Sequence, residues 1–184
     1  LPAPPRGYRY PRVSPDGRHI ACHISDDREL DAQGTRGDIW ILDLDSRRLA
    51  RLTTGGVSSF PCWSPDGRRV AFFRAGQPTG VYERLATGGR ADTPIWATPV
   101  GLKLPEAWHP DGTVLAVPSF DRPVGLWRVP VDGGEPTRFG PDLGDHWGSS
   151  FSPDGNYLAY TSMESGVAEV FVEASSAPTT TGAL

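Results

Sequence analysis

Four aspartates stand in nearly identical surroundings: Ser14-Pro15-Asp16-Gly17, Ser64-Pro65-Asp66-Gly67, His109-Pro110-Asp111-Gly112 and Ser152-Pro153-Asp154-Gly155. Four carboxylates at such regular places could hold metal ions or move protons. The residues around them point to a local structural role instead. Proline fixes its own φ at the second position of a turn, aspartate bonds nearby backbone amides, and glycine takes the left-handed conformation. After two residues each copy continues with a branched aliphatic and an alanine, Ile20-Ala21, Val70-Ala71, Leu115-Ala116 and Leu158-Ala159. One hairpin-turn signature therefore explains all four aspartates.

The other reactive side chains fare similarly. His19 and His23 are four apart, which suits one face of a helix. Their segment reads as strand, where that spacing separates them by about 13 Å. His109 substitutes for the turn serine, and His146 sits in a loop. Cys22 and Cys62 lie inside predicted strands and read as small buried hydrophobes. The serines of Gly56-Val57-Ser58-Ser59-Phe60 and Gly148-Ser149-Ser150-Phe151 lack the second glycine and the following helix of a nucleophile elbow. No phosphate loop and no kinase catalytic loop is written in the chain. The expectation is a non-enzymatic chain with no cofactor and no bound metal, any catalytic domain lying elsewhere.

The elements that carry these residues follow from the repeat. The turn aspartates are 50, 45 and 43 residues apart, a period that suits propeller blades. Between them run short alternating stretches bounded by Gly and Pro, the pattern of strands. The chain is read as all-β, a propeller array of about four blades of four-stranded antiparallel sheets, and as a segment of a larger propeller, the alternative being a ring of four in which residues 1–8 supply the missing strand beside blade four. Blades fall near 9–53, 59–98, 103–139 and 148–173, with a Pro-rich lead-in or edge segment over 1–8 and a flexible tail over 174–184. Expected first strands are Tyr10 to Ser14, Ser59 to Ser64, Lys103 to His109 and Gly148 to Ser152. Blade four is expected to lack its fourth strand.

Composition bounds the function. The chain has 184 residues, 22 glycines, 19 prolines and 38% hydrophobic residues, enough apolar material for a real core. A net charge of −4 gives no electrostatic footprint for nucleic acid. No apolar run reaches membrane-spanning length, so this segment is not expected to insert in a membrane.

Ser-Pro-Asp-Gly, two residues, aliphatic-Ala, then aspartate before Ile39-Trp40-Ile41-Leu42-Asp43-Leu44 and a closing Arg51-Leu52-Thr53 together resemble the TolB-type, or WD-like (PD), propeller repeats. The stretches GDIWILDLDSRRLARLTTGG and FSPDGNYLAYTSMESGVAEVFVEA are especially similar to propellers appended to bacterial serine/threonine kinases and sensor proteins. The resemblance spans 9–173 and implies a scaffold for a protein or peptide partner, in a periplasmic or extracytoplasmic setting. It also implies an alternative, an accessory sensor or gating propeller of a larger enzyme, either such a kinase or a prolyl-oligopeptidase-type serine peptidase.

Six tryptophans separate the core from the surface. Trp63 and Trp108 share one repeat position with Val13 and Phe151 and mark a core layer. Trp40, Trp96 and Trp127 alternate within strands and are expected between blades. Trp147 follows Asp145 and His146 in a loop leading into a first strand. It either seals blade three to blade four or offers surface to a partner together with its repeat equivalents Arg9, Ser59 and Leu104. The candidate partner-binding set is Arg9, Ser59, Leu104, Asp145, His146 and Trp147.

Overall fold

The computed structural model describes residues 7–25, 36–89, 91–121, 124–139 and 146–175. Residues 1–6 of the expected lead-in over 1–8, residues 176–184 of the expected tail over 174–184, and Asp145 lie outside them. Fifteen strands among the described residues form four antiparallel sheets, each with its strands in sequence order, as successive blades of a β-propeller. Blade one pairs β1 (Gly7–Val13), β2 (His19–Ser25), β3 (Asp38–Asp43) and β4 (Leu49–Arg51). Blade two pairs β5 (Ser58–Trp63), β6 (Arg69–Arg74), β7 (Thr79–Leu85) and β8 (Thr93–Thr98). Blade three pairs β9 (Ala107–Trp108), β10 (Val114–Ser119), β11 (Gly125–Pro130) and β12 (Thr137–Phe139). Among the described residues blade four pairs three strands, β13 (His146–Phe151), β14 (Tyr157–Ser162) and β15 (Glu169–Ala174).

Three first strands differ from expectation by two residues or more. β13 begins at His146 rather than Gly148, so His146 and Trp147, read as loop, join the ladder opposite Ser162 and Thr161. β1 begins at Gly7, so Gly7 and Tyr8 join the ladder opposite Ser25 and Ile24. The first strand of blade three shrinks to Ala107–Trp108 because Pro105 has no amide to donate. Around it the chain keeps single bonds, Leu104 N to Pro118 O at 3.0 Å and Glu106 N to Ala116 O at 3.1 Å.

The Pro-Asp-Gly segments are the turns joining first and second strands. Each glycine amide donates to the carbonyl three residues back at 2.9 Å, and the four glycines sit at φ between 67° and 78°. The aspartate carboxylates accept the amides of Arg18, Arg68, Thr113 and Asn156 at 2.8–3.0 Å. A serine hydroxyl and an amide hold Asp16, Asp66 and Asp154 below the usual carboxylate range. Asp111 is also lowered: slight burial opposes the shift, and the Thr113 hydroxyl and amide and the His109 ring outweigh it.

Opposed residues in an antiparallel ladder share a face, so register assigns every side chain to one of two blade faces. The alanine after each turn and its partners form a forward face that meets the next blade. The aliphatic before it forms a rear face. Ala21, Ile39, Ile41 and Leu52 of blade one pack on Trp63, Val70, Phe72 and Tyr82 of blade two. Cys62, Ala71 and Val81 pack on Trp108, Leu115, Val117 and Val129 of blade three. Ala116, Leu126 and Phe139 pack on Leu158 and Tyr160 of blade four. Trp96 and Trp127 join the second of these layers, 5.4 Å apart. Trp40 does not behave as expected: it opposes Cys22 on the rear face of blade one, which meets none of blades two to four, and lies half-buried near Arg51.

Candidate functional site

The first strands of all four blades lie innermost, and the ends through which the chain enters them make one rim. β1, β5 and β13 each carry a bulge near this end, between Arg9 and Arg12, Ser59 and Cys62, and Trp147 and Ser150. The bulge positions are repeat equivalents: Tyr10, Phe60 and Gly148. Gly148 accepts φ of 67° freely, whereas Tyr10 and Phe60 are held at 52° and 54°. Bulky residues in this region are strained, and strain of this kind concentrates at binding and switch sites. Their rings stack at 4.0 Å across the boundary of blades one and two, and Tyr10 also lies 6.1 Å from the His23 ring.

Further links join neighbouring inner strands. The Cys62 thiol donates to Glu106 O at 3.6 Å, and Trp63 Nε1 donates to Arg12 O at 3.0 Å. The Glu106 carboxylate accepts the Ser149 amide at 2.6 Å and hydroxyl at 2.8 Å. Ser149 is thus tied to a carboxylate with no histidine beside it in that contact, and Ser58 and Ser59 are buried. Burial raises the Cys22 thiol to about 11 and is the main cause raising Cys62 to about 12. These are poor nucleophiles. Among the described residues no three His, Cys, Asp or Glu side chains converge as a metal site.

Two acidic clamps fix the segments that cross between blades at this end. Asp38 pairs with Arg51 and accepts the Thr53 hydroxyl at 2.9 Å and the Gly56 amide at 3.1 Å. Asp121 pairs with Lys103 and accepts the Leu102 amide at 3.0 Å. The lysine is 1% exposed, keeps Thr98 Oγ1 at 2.7 Å, and lies 5.1 Å from the Trp96 ring centroid. Gly101 is needed here, since a Cβ would fall about 2 Å from the Asp121 carboxylate.

The candidate residues separate by exposure. Trp147 opposes Thr161 on the forward face of blade four, away from blade three, and is 36% exposed; it does not seal those two blades. Its neighbour His146 turns the other way, buried with its ring 5.4 Å from Tyr160. Arg9 is half-buried opposite His23, while Ser59 and Leu104 are buried beneath the rim. Tyr10 and Phe60 were missed from sequence, although Tyr10-Pro11 and Phe60-Pro61 repeat in register. On the opposite end, a groove of about 370 Å³ between the turns of blades two and three is lined by Ser64, Asp66, Arg69 and Asp111. His109 does more there than replace serine: its Nε2 lies 3.0 Å from Gly155 O, and its ring packs edge-on to Phe151, joining blades three and four.

A TolB homolog of Chlorobium luteolum is 30% identical over 139 residues, 73% of this chain and 31% of that protein. The structure of a putative TolB from Agrobacterium tumefaciens superposes with a TM-score of 0.77 at 21% identity, covering 95% of this chain and 61% of the other. The chain is similar to TolB-like β-propellers. It is also 28% identical over 191 residues to the uncharacterized peptidase YuxL of Bacillus subtilis, covering 82% of this chain and 29% of the peptidase. The chain thus spans about a third of the length of the curated relatives it matches. No family model matches it.

Proposed function

We propose that the chain is a non-catalytic β-propeller module that binds a protein or peptide segment across the rim where the inner strands begin. The observation that carries this reading is the pair Tyr10 and Phe60, stacked at 4.0 Å and held at positive φ beside the half-buried Arg9. Trp147 extends the apolar rim, and aromatic and arginine side chains are the residue types that dominate binding energy at protein interfaces. Ser59, Leu104 and His146 back the rim from beneath, and Asp145, the residue before His146 in sequence, is proposed as part of the same surface. A net charge of −4 favours a partner that is not polyanionic.

The test is a peptide-display selection on the folded chain, followed by calorimetry of a selected peptide. Trp147→Ala and Arg9→Ala should each weaken binding about tenfold or more, as for interface anchors. Unchanged affinity in both variants would remove the rim from the reading.

The similarity to YuxL favours a second reading, an accessory propeller of a larger peptidase. The full reading frame at the encoding locus decides it: an α/β-hydrolase domain in frame supports it, and its absence refutes it.

A further inference from the structure

The pair Asp-Gly is written five times: at Asp16, Asp66, Asp111 and Asp154 in the repeat turns, and at Asp132 in the turn from β11 to β12. In this pair the backbone amide readily attacks the side chain before it, since glycine has no Cβ to obstruct the approach. Attack joins the glycine nitrogen to the aspartate Cγ, and the carboxyl OH leaves with the amide proton as water. The five-membered imide then takes up one water. When that water breaks the bond from the original peptide carbonyl to the nitrogen, the chain runs on through Cβ and Cγ as isoaspartate. The net change is an isomerisation that consumes nothing.

Four of the five pairs are held against this step. The amides of Gly17, Gly67, Gly112 and Gly155 each donate to the carbonyl three residues back at 2.9 Å, so the attacking nitrogen is fixed and its proton engaged. Each aspartate Oδ1 accepts a hydroxyl, from Ser14, Ser64, Thr113 or Ser152, together with the amide two residues on at 2.8–3.0 Å. All four carboxyls are held below the usual carboxylate range, away from the neutral acid that loses water most readily.

The fifth pair is held far less. The Gly133 amide has no acceptor among the described residues, whereas Gly88, in the matching turn of blade two, donates to Leu85 O at 2.9 Å. The Asp132 carboxylate accepts one amide, that of Gly134 at 3.2 Å, and no hydroxyl. Asp132, Gly133 and Gly134 are all exposed. We propose that Asp132 is a site of spontaneous isoaspartate formation in the folded chain, and that the four repeat aspartates are protected from it. The change would lengthen the main chain just before β12, which keeps register with Leu126, Trp127 and Arg128 and carries Phe139 into the layer shared with Leu158 and Tyr160. This turn is at the end of the propeller away from the rim, so peptide binding and isomerisation are read separately.

Incubation of the folded chain at neutral pH over weeks, followed by trypsin and peptide mapping, tests the site. Cleavage after Arg128 and Arg138 releases residues 129–138, in which Asp132 is the one aspartate. This peptide should gain a second peak of equal mass that accepts a methyl group from an isoaspartyl methyltransferase and S-adenosylmethionine. In urea all five sites should react. Folding should slow the four repeat sites at least about tenfold, the effect of a held amide, and leave Asp132 within about threefold of its rate in urea. Asp132→Glu should abolish the second peak, because its ring would need six members, and Asp132→Asn should hasten conversion through the same imide with loss of ammonia. Isoaspartate appearing first at a Pro-Asp-Gly turn of the folded chain, or folding slowing Asp132 as strongly as the other four, would overturn the proposal.

Discussion

Removing the carboxylate of Asp121 should cost far more than removing the ammonium it holds. In Asp121→Ala, Lys103 loses its counter-ion in a site where it is 1% exposed, with Thr98 Oγ1 at 2.7 Å and Val100 O at 3.4 Å as its remaining hydrogen-bond partners. The Leu102 amide loses its acceptor as well. A buried charge stripped of its counter-ion costs about 3–5 kcal/mol, a large share of the ~5–15 kcal/mol that holds a domain together. In Lys103→Met the thioether replaces most of the stem, and the Asp121 side chain, already 29% exposed and bonded to the Leu102 amide, turns to water. That variant should lose only about 1–2 kcal/mol. The double variant should resemble Lys103→Met more than the sum of both, with a coupling of about 2–3 kcal/mol. Urea unfolding followed by tryptophan fluorescence at neutral pH measures all three. Equal losses for the two single variants, or simple additivity in the double, would refute the view that a desolvated lysine dictates this corner.

Four carboxylates lowered in the folded state contribute stability that is present above their unfolded value near 3.8 and is lost as pH falls through the folded values. Melting temperature should therefore be nearly level from pH 7 to about 5 and fall below about 4, and Asp66→Asn should flatten part of that fall. With thiols raised to about 11 and about 12, Cys22 and Cys62 should resist iodoacetamide in the native chain at pH 8 and both react in urea. Fast native labelling of Cys62 would contradict its place in the second interblade layer. His109→Ser restores the turn but removes the bridge to Gly155 and the ring against Phe151, and should cost about 1–2 kcal/mol by urea unfolding.

The repeat was legible because its information is local. Pro-Asp-Gly dictates a turn from three adjacent residues, and Trp63 and Trp108 declare a layer by sharing a position with Val13 and Phe151. What was not legible depends on neighbours far along the chain. Trp40 and Trp127 hold the same register position, yet Trp127 lies between blades while Trp40 stands on a face that meets none of the other described blades. The stack of Tyr10 on Phe60 needs two bulges and two positive φ angles, which neither strand pattern announces by itself. Lys103 is a lysine inside a predicted strand until Asp121, 18 residues later, is brought beside it. His146 and Trp147 read as a loop before the strand, but β13 begins at His146, and the face Trp147 takes is set by the bulge between Trp147 and Ser150.

The rim is tested most directly by amide hydrogen exchange of the chain with and without a selected peptide. The account predicts added protection over Gly7–Val13, Ser58–Trp63 and His146–Phe151, where the inner strands begin. Protection confined to the Pro-Asp-Gly turns at 14–17, 64–67, 109–112 and 152–155 would contradict it and move the binding surface to the opposite end of the propeller.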